Sequence, residues 1–395
     1  MKFLPTIFIS VMICFSVYAQ NAIYLNHSPS IPTAMPFLSS QSDARASGMA
    51  SMGVVSSADI FSQYYNSAKY VFMNTNSGIG INYTPFLSNL TNDVFLGGIT
   101  YFAKHRQKGA WALAFNYFNM GDVELSDIQQ DAYLSKGIVK PNELTFDLSY
   151  NLKLSDYFSM GVTGRWLHSN LRDASQSERK VANSVSISLS SYYESDLIYN
   201  NSFDSRYRLG ACISNIGPKL SYKREGTDFF IPTNLKIGLG YDFIFSEIHT
   251  ISFLIELNKL LVPTPPIYGF FDLNNDGIQN SNEPTTIVKG KSTNVSFFEG
   301  IFQSFADAPN GFKEELQEIS IGSGVEYQLK NDFSLRFGYF FESENKGNRS
   351  HISVGTGFKY QQIKINLSYL FSVSSIPNPF ESALRVSGSY EVSKQ

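Results

Sequence analysis

The stretch "IKINLSYLF", residues 363–371, decides how this chain is read. Ile363, Ile365, Leu367, Tyr369 and Phe371 share one face, and Lys364, Asn366 and Ser368 lie opposite. Successive side chains of a strand point to opposite sides, so this period of two is a strand with one greasy and one polar face. Three other stretches repeat it. In "FSLRFGYFFE" (333–342), Phe333, Leu335, Phe337, Tyr339 and Phe341 oppose Ser334, Arg336, Gly338 and Glu342. "LTFDLSYNL" (144–152) aligns Leu144, Phe146, Leu148, Tyr150 and Leu152, and "LRVSGSYEV" (384–392) sets Leu384, Val386, Tyr390 and Val392 against Arg385, Ser387, Ser389 and Glu391.

A water-soluble sandwich alternates in the same way, so length is the discriminator. Runs of about ten residues are roughly twice the usual soluble strand. At about 3.3 Å per residue and a tilt of about 45° they cross the hydrocarbon core of a bilayer. Fourteen such runs can be marked: 77–86, 93–104, 109–119, 142–152, 157–169, 180–193, 205–215, 234–244, 248–258, 316–329, 333–343, 349–360, 362–372 and 382–392. An even number suits a single-chain bacterial barrel. The expected fold is all-β, an antiparallel transmembrane β-barrel of about fourteen strands over residues 77–395.

The connections support this. "HRQKG", "KLSD", "FSEI" and "LKND" are short, whereas 120–141, 170–179, 216–233 and 259–315 are long and fall between the others. Short turns on one rim and long loops on the other distinguish the periplasmic and extracellular ends of such barrels. This pattern predicts both termini in the periplasm and the long loops outside. Aromatic residues make up 15% of the chain, with 33 Phe and 23 Tyr against 2 Trp, an excess that interfacial girdles would use. A net charge of −3 offers no basic footprint for nucleic acid.

The chain opens "MKFLPTIFISVMICFSVYAQ", with Lys2, a short apolar run and Val17-Tyr18-Ala19. That is a signal peptide pattern, with cleavage expected after Ala19. Beyond it no apolar run is long enough for a helical span. Cleavage removes Cys14 and leaves Cys212 alone, so the mature chain forms no internal disulfide. Within residues 20–76, "DARASGMASMGVVSSADIFSQYYNSAKYVF" (43–72) is rich in Gly, Ala and Ser and partly helical in character. Placed at the periplasmic mouth, such a segment fits a barrel interior as a hatch. As a free tail it would expose "IFSQYYNSAKYVF" to water.

Little here points to catalysis. His27, His105, His168, His249 and His351 are scattered without metal or triad spacing, and Cys212 has no identifiable base. The chain is not expected to be an enzyme. One motif does carry chemistry: "DLNNDGIQNSNE" (272–283) fits D-x-[DN]-x-[DN]-G-x5-E. Asp272, Asn274, Asp276 and Glu283 would supply side-chain oxygens to Ca2+, Ile278 a carbonyl, and Gly277 the turn. Its flanks are not helical, so the alternatives are a bare calcium loop and a polar turn. Two loops are apolar for an exposed rim: Ile301, Phe302, Phe305 and Phe312 in one, Ile376 and Phe380 in the other. They are candidates for partner or membrane contact, or for folding into the barrel mouth.

The 43–72 stretch resembles the N-terminal signature of the PorV family, the outer-membrane barrels of the type IX secretion system in Bacteroidetes. So do "ISNIGPKLSY" (213–222), "FIPTNLKIGLGY" (230–241), "ELNKLLVPTPP" (256–266), "FADAPNGFKEELQEISIGSGVEY" (305–327) and "FFESENKGNRSHISVGTGFKY" (340–360). Ser67 departs from it, standing where the family has the Pro of Asn-Pro-Ala. The resemblance implies a FadL-like barrel with an N-terminal hatch, seated in outer-membrane lipid. It also implies a carrier that takes cargo by C-terminal signal domains from a SprA-like translocon barrel and hands it to a PorU-like sortase. A FadL-type channel for hydrophobic small molecules is the alternative.

Overall fold

The computed structural model describes residues 22–393 apart from 25–29, 41–42, 88–90, 92, 107, 130–131, 172–180, 223–227, 273–277, 331 and 375–382. The expected signal peptide, His27, Asn274, Asp276, Gly277, Ile376 and Phe380 lie outside the described residues.

The strands in chain order are β1 (Ala22–Tyr24), β2 (Ser77–Pro85), β3 (Val94–His105), β4 (Gly109–Met120), β5 (Val123–Gln129), β6 (Ala132–Val139), β7 (Asn142–Lys153), β8 (Phe158–Asn170), β9 (Ala182–Glu194) and β10 (Asp204–Ile216). They continue with β11 (Asn234–Ile244), β12 (His249–Leu260), β13 (Ile267–Phe271), β14 (Thr286–Lys289), β15 (Ile319–Leu329), β16 (Phe333–Phe341), β17 (Ser350–Tyr360), β18 (Ile363–Ser372) and β19 (Leu384–Val392). Among the described residues three short α-helices accompany them: α1 (Ala44–Ser47), α2 (Phe297–Gln303) and α3 (Phe312–Gln317). Fourteen strands, all but β1, β5, β6, β13 and β14, close into one antiparallel barrel. The seam joins β19 to β2, from Val386 opposite Tyr83 to Val392 opposite Ser77. Closure leaves no edge strand, so every backbone polar group in the bilayer can be paired within the wall.

The wall is built inside out relative to a soluble protein. On β18, Ile363 and Phe371 are exposed on the outer face, while Asn366 and Ser368 are buried inside. The alternation in "IKINLSYLF" thus separates a lipid face from a packed lumen.

Ser77 and Val392 sit on the rim of short turns, where Asn76 N donates to Val392 O at 2.9 Å. The opposite rim carries the long loops, and they are more structured than their sequence suggested. Residues 121–141 hold the β5–β6 hairpin, and 261–318 hold the β13–β14 hairpin, α2 and α3. The tenth barrel strand begins at Ile319 rather than 316, because α3 takes the preceding turn.

The N-terminal segment corrects the expected topology. Residues 22–24 do not lie with Val392 on the short-turn rim. They pair with β13 in the longest loop, Ala22 opposite Phe271 and Tyr24 opposite Gly269. From there the chain descends through the lumen and reaches the short-turn rim only at Ser77.

Candidate functional site

The lumen is occupied by residues 43–73, which touch the wall on all sides. The segment folds as α1 and two 3-10 turns, Ile60–Tyr64 and Ser67–Phe72. Asp43 caps α1 by accepting from Arg45 N and Ala46 N, and Asn66 caps the last turn by accepting from Ala68 N. Near the short-turn rim, Tyr70 stacks on Phe102 of β3 at 5.2 Å, and Gln63 Oε1 accepts from Ser149 of β7 at 2.7 Å. On the far side, Gly53 N and Val54 N donate to Glu256 of β12, and Ala50 N donates to Ser353 of β17 at 2.8 Å. Arg385 of β19 donates to Ser47 at 2.6 Å.

Ser67, where the family's Pro is missing, is within 3.1 Å of the Ser190 hydroxyl on β9 and 3.3 Å of the Thr163 hydroxyl on β8. Wall contacts hold this turn in place of a fixed φ. Cys212 lines the same polar region and is buried with Met49 and Val54.

Charge fixes the centre. Arg45 Nε and Nη2 donate to Glu326 of β15 at 3.1 and 2.8 Å, and Nη1 donates to Asp59 at 2.8 Å. Arg336 of β16 donates to the same Glu326 at 2.7 Å. All are buried or nearly so. Paired guanidinium–carboxylate forks of this kind hold geometry, because removing one member strands the other in a low dielectric.

Glycines set how closely the segment approaches. A β-carbon at Gly338 would run into the backbone of Met49 and Ala50, and one at Gly210 would lie 2.7 Å from Val54 O. Gly322 and Gly324 both face Met52. Sequence reading assigned these no role, although pairs such as Gly78/Gly80, Gly238/Gly240 and Gly322/Gly324 stand two apart on the lumen face. That spacing is the signal of a second backbone packed inside the wall.

Above the segment lies a cavity of about 450 Å³ that opens toward the long loops. Phe37, Phe86 and Phe118 form an aromatic wall, and Lys236, Glu256 and Glu318 are among the charged residues opposite.

The loop face over this cavity is braced. Lys259 Nζ donates to Glu315 at 3.1 Å and to Glu318 at 2.6 Å, and Lys346 Nζ donates to Glu314 at 2.6 Å and to Glu318 at 3.0 Å. Glu315 Oε1 also accepts from Asp307 N and Ala308 N, and Thr264 N donates to Asp307 at 3.1 Å. Burial pushes the Asp307 carboxyl up to about 6. For Glu314 and Glu315 burial opposes ionisation, but hydrogen bonds to Lys346 and to Ala308 N, among others, hold both below the usual range.

With these carboxylates turned inward, the other side of the loop is left apolar. Phe302, Phe305 and Phe312 are exposed, and Phe298 and Leu316 join them; Phe298 and Phe302 pack edge to face at 5.2 Å. Ile301 is half-buried. In the calcium motif, Ile278 is exposed and Glu283 is buried, its Oε2 accepting from Asn280 N at 2.9 Å. Among the described residues, no three His, Cys, Asp or Glu side chains gather as metal ligands.

A closed fourteen-strand antiparallel barrel with an apolar outer wall and an internal plug is the architecture of an outer-membrane β-barrel protein. More particularly, the chain belongs to the PorV family: residues 25–267 match the model described as type IX secretion system protein PorV. None of the curated proteins compared matches it. Among solved structures, it is similar to a deletion mutant of the TodX monoaromatic hydrocarbon channel (TM-score 0.50, 10% identity, 89% of this chain and 98% of that one). The Ralstonia pickettii toluene transporter TbuX gives 0.47, 11%, 89% and 98%, and the Pseudomonas putida toluene transporter TodX gives 0.45, 12%, 92% and 99%. At these identities the likeness concerns the fold alone.

Proposed function

We propose that this protein is the carrier and docking component of a type IX secretion system in a bacterium of the Bacteroidetes. It receives cargo by C-terminal signal domains from a SprA-like translocon and delivers it to a PorU-like sortase at the cell surface. The family match carries the reading. The plug supports it, because a lumen packed by residues 43–73 leaves the work to surfaces, and the braced apolar loop offers one. Its rim position and the exposure of Phe302, Phe305 and Phe312 suit a docking contact. Ile376 and Phe380 would extend that surface, and Ca2+ in the 272–283 loop would order its longest connection. Maturation would begin with signal cleavage after Ala19.

The competing reading, a channel for hydrophobic small molecules, draws on the partly aromatic cavity. A deletion strain separates the two. Loss of surface-attached cargo with normal lipid uptake supports the carrier; normal export with failed uptake of long-chain lipids overturns it.

A further inference from the structure

Three observations fix the path of the N-terminal segment, and two of them do not depend on β1. Phe37 stacks on Phe118 at 5.6 Å, and Phe118 also meets Phe86 at 6.1 Å, at the long-loop ends of β4 and β2. Ala34 N donates to Phe230 O at 2.8 Å, within the long connection between β10 and β11. Residues 34–37 therefore already stand at the long-loop rim, while Asn76 is bonded at the opposite rim. Beyond them β1 pairs with β13. The barrel surrounding the segment is closed by the β19–β2 seam.

We infer that this chain carries its own N-terminus through its barrel to the long-loop face, where residues 22–24 act as the third strand bracing the β13–β14 hairpin. A two-stranded hairpin in water is marginal by itself, and a third strand is the simplest remedy. The β13–β14 pairing needs that help, since its register breaks between Ile267 and Tyr268. The β1–β13–β14 sheet places residues 22–24 on the same face as the apolar loop. Threading also sets an order of assembly: the segment is enclosed as β19 pairs with β2. A polypeptide end would otherwise have to pass a lumen whose wall already meets it in hydrogen bonds and glycine contacts. That the long-loop face is the cell surface follows from barrel orientation. It does not depend on the secretion role, so the two readings can fail separately.

Two variants test this in intact cells. An epitope inserted between Gln20 and Asn21 should react with antibody without permeabilisation, and so should one at Lys291–Ser292. One in the Lys330–Asp332 turn should react only after the outer membrane is opened. In a Cys212→Ala background, Ile23→Cys with Phe270→Cys places two thiols at directly opposed positions, within reach of a disulfide. Peptide mapping should recover the 23–270 link, and Ile23→Cys with Leu329→Cys should give none. An N-terminal epitope that behaves like the turn epitope overturns the inference. So does a missing 23–270 link in a barrel that still migrates faster unheated. If the epitope blocks folding, the cysteine pair decides.

Discussion

Arg45 and Glu326 meet through two parallel hydrogen bonds, Nε to Oε1 and Nη2 to Oε2, although 281 residues separate them in sequence. The pair ties the first helix of the plug to the barrel wall. Arg45→Ala takes the guanidinium from both Asp59 and Glu326, leaving Asp59 the Ser62 hydroxyl and Glu326 the Arg336 and Gln328 side chains; removing one member of a buried ion pair costs about 3–5 kcal/mol. We expect amide exchange across residues 44–57 to rise sharply while β2–β4 stay protected. Unchanged exchange in the plug would show that the pair does not anchor it.

Plug and wall also touch where no side chain fits. Gly338→Val should expel the Met49–Ala50 backbone and either open the lumen to large solutes or prevent folding. Gly164→Ala, at a site with nothing within 4 Å of the added carbon, should change neither. Antibiotic uptake and heat-dependent gel mobility read both outcomes. A Gly338→Val protein that remained sealed and normally folded would count against close packing there.

The aromatic face is separable from the barrel. Phe302→Ser with Phe312→Ser should weaken recovery of partner proteins at least tenfold if each ring is worth about 1 kcal/mol or more. Heat-dependent mobility should be unaltered, because both rings point away from the wall. Full recovery would move the docking surface elsewhere.

Titration of the loop should show two opposed limbs. The folded Asp307 carboxyl, raised from 3.8 to about 6, contributes stability below 3.8 that is lost as the pH rises through about 6. Glu314 and Glu315 are lowered from 4.5, so their contribution is present above 4.5 and lost as the pH falls through their folded values. Protection of residues 297–317 from protease should therefore be greatest near about 4.5, decline as the pH rises to about 6, and level off above it. Asp307→Asn should abolish the decline between about 4.5 and 6. A wild-type loop equally protected from about pH 4.5 to 6 would contradict this assignment.

For the 272–283 loop, chelator should increase cutting between Leu260 and Phe302 and leave the strands protected. Asp272→Ala with Glu283→Ala should be cut equally with or without calcium. Three carboxylates close together repel one another, and an ion offsets that repulsion together with the entropy of ordering the loop. No heat of binding at millimolar calcium would leave Glu283 as a turn cap through Asn280.

The alternation of residues 363–371 and its counterparts was sufficient to mark all fourteen barrel strands, with starts and ends within a few residues. A wall between lipid and a polar lumen imposes period two on every strand, whatever lies far away in the sequence. The distribution of short and long connections likewise located the two rims. The apolar 301–312 stretch was legible because exposed aromatics are conspicuous by residue type.

Three features were decided only by the closed tertiary structure. The direction in which residues 22–76 run through the lumen depends on Phe37 finding Phe118 and on β1 finding β13, contacts that no local pattern encodes. The start of β15 moved to Ile319 because Glu314, Glu315 and Glu318 turn toward Lys259 and Lys346, which come from other parts of the chain. The lumen glycines acquired meaning only when a second backbone was seen against them. A strand's two faces are a local property of its sequence, whereas what fills the space it encloses depends on residues hundreds of positions apart meeting once the barrel closes.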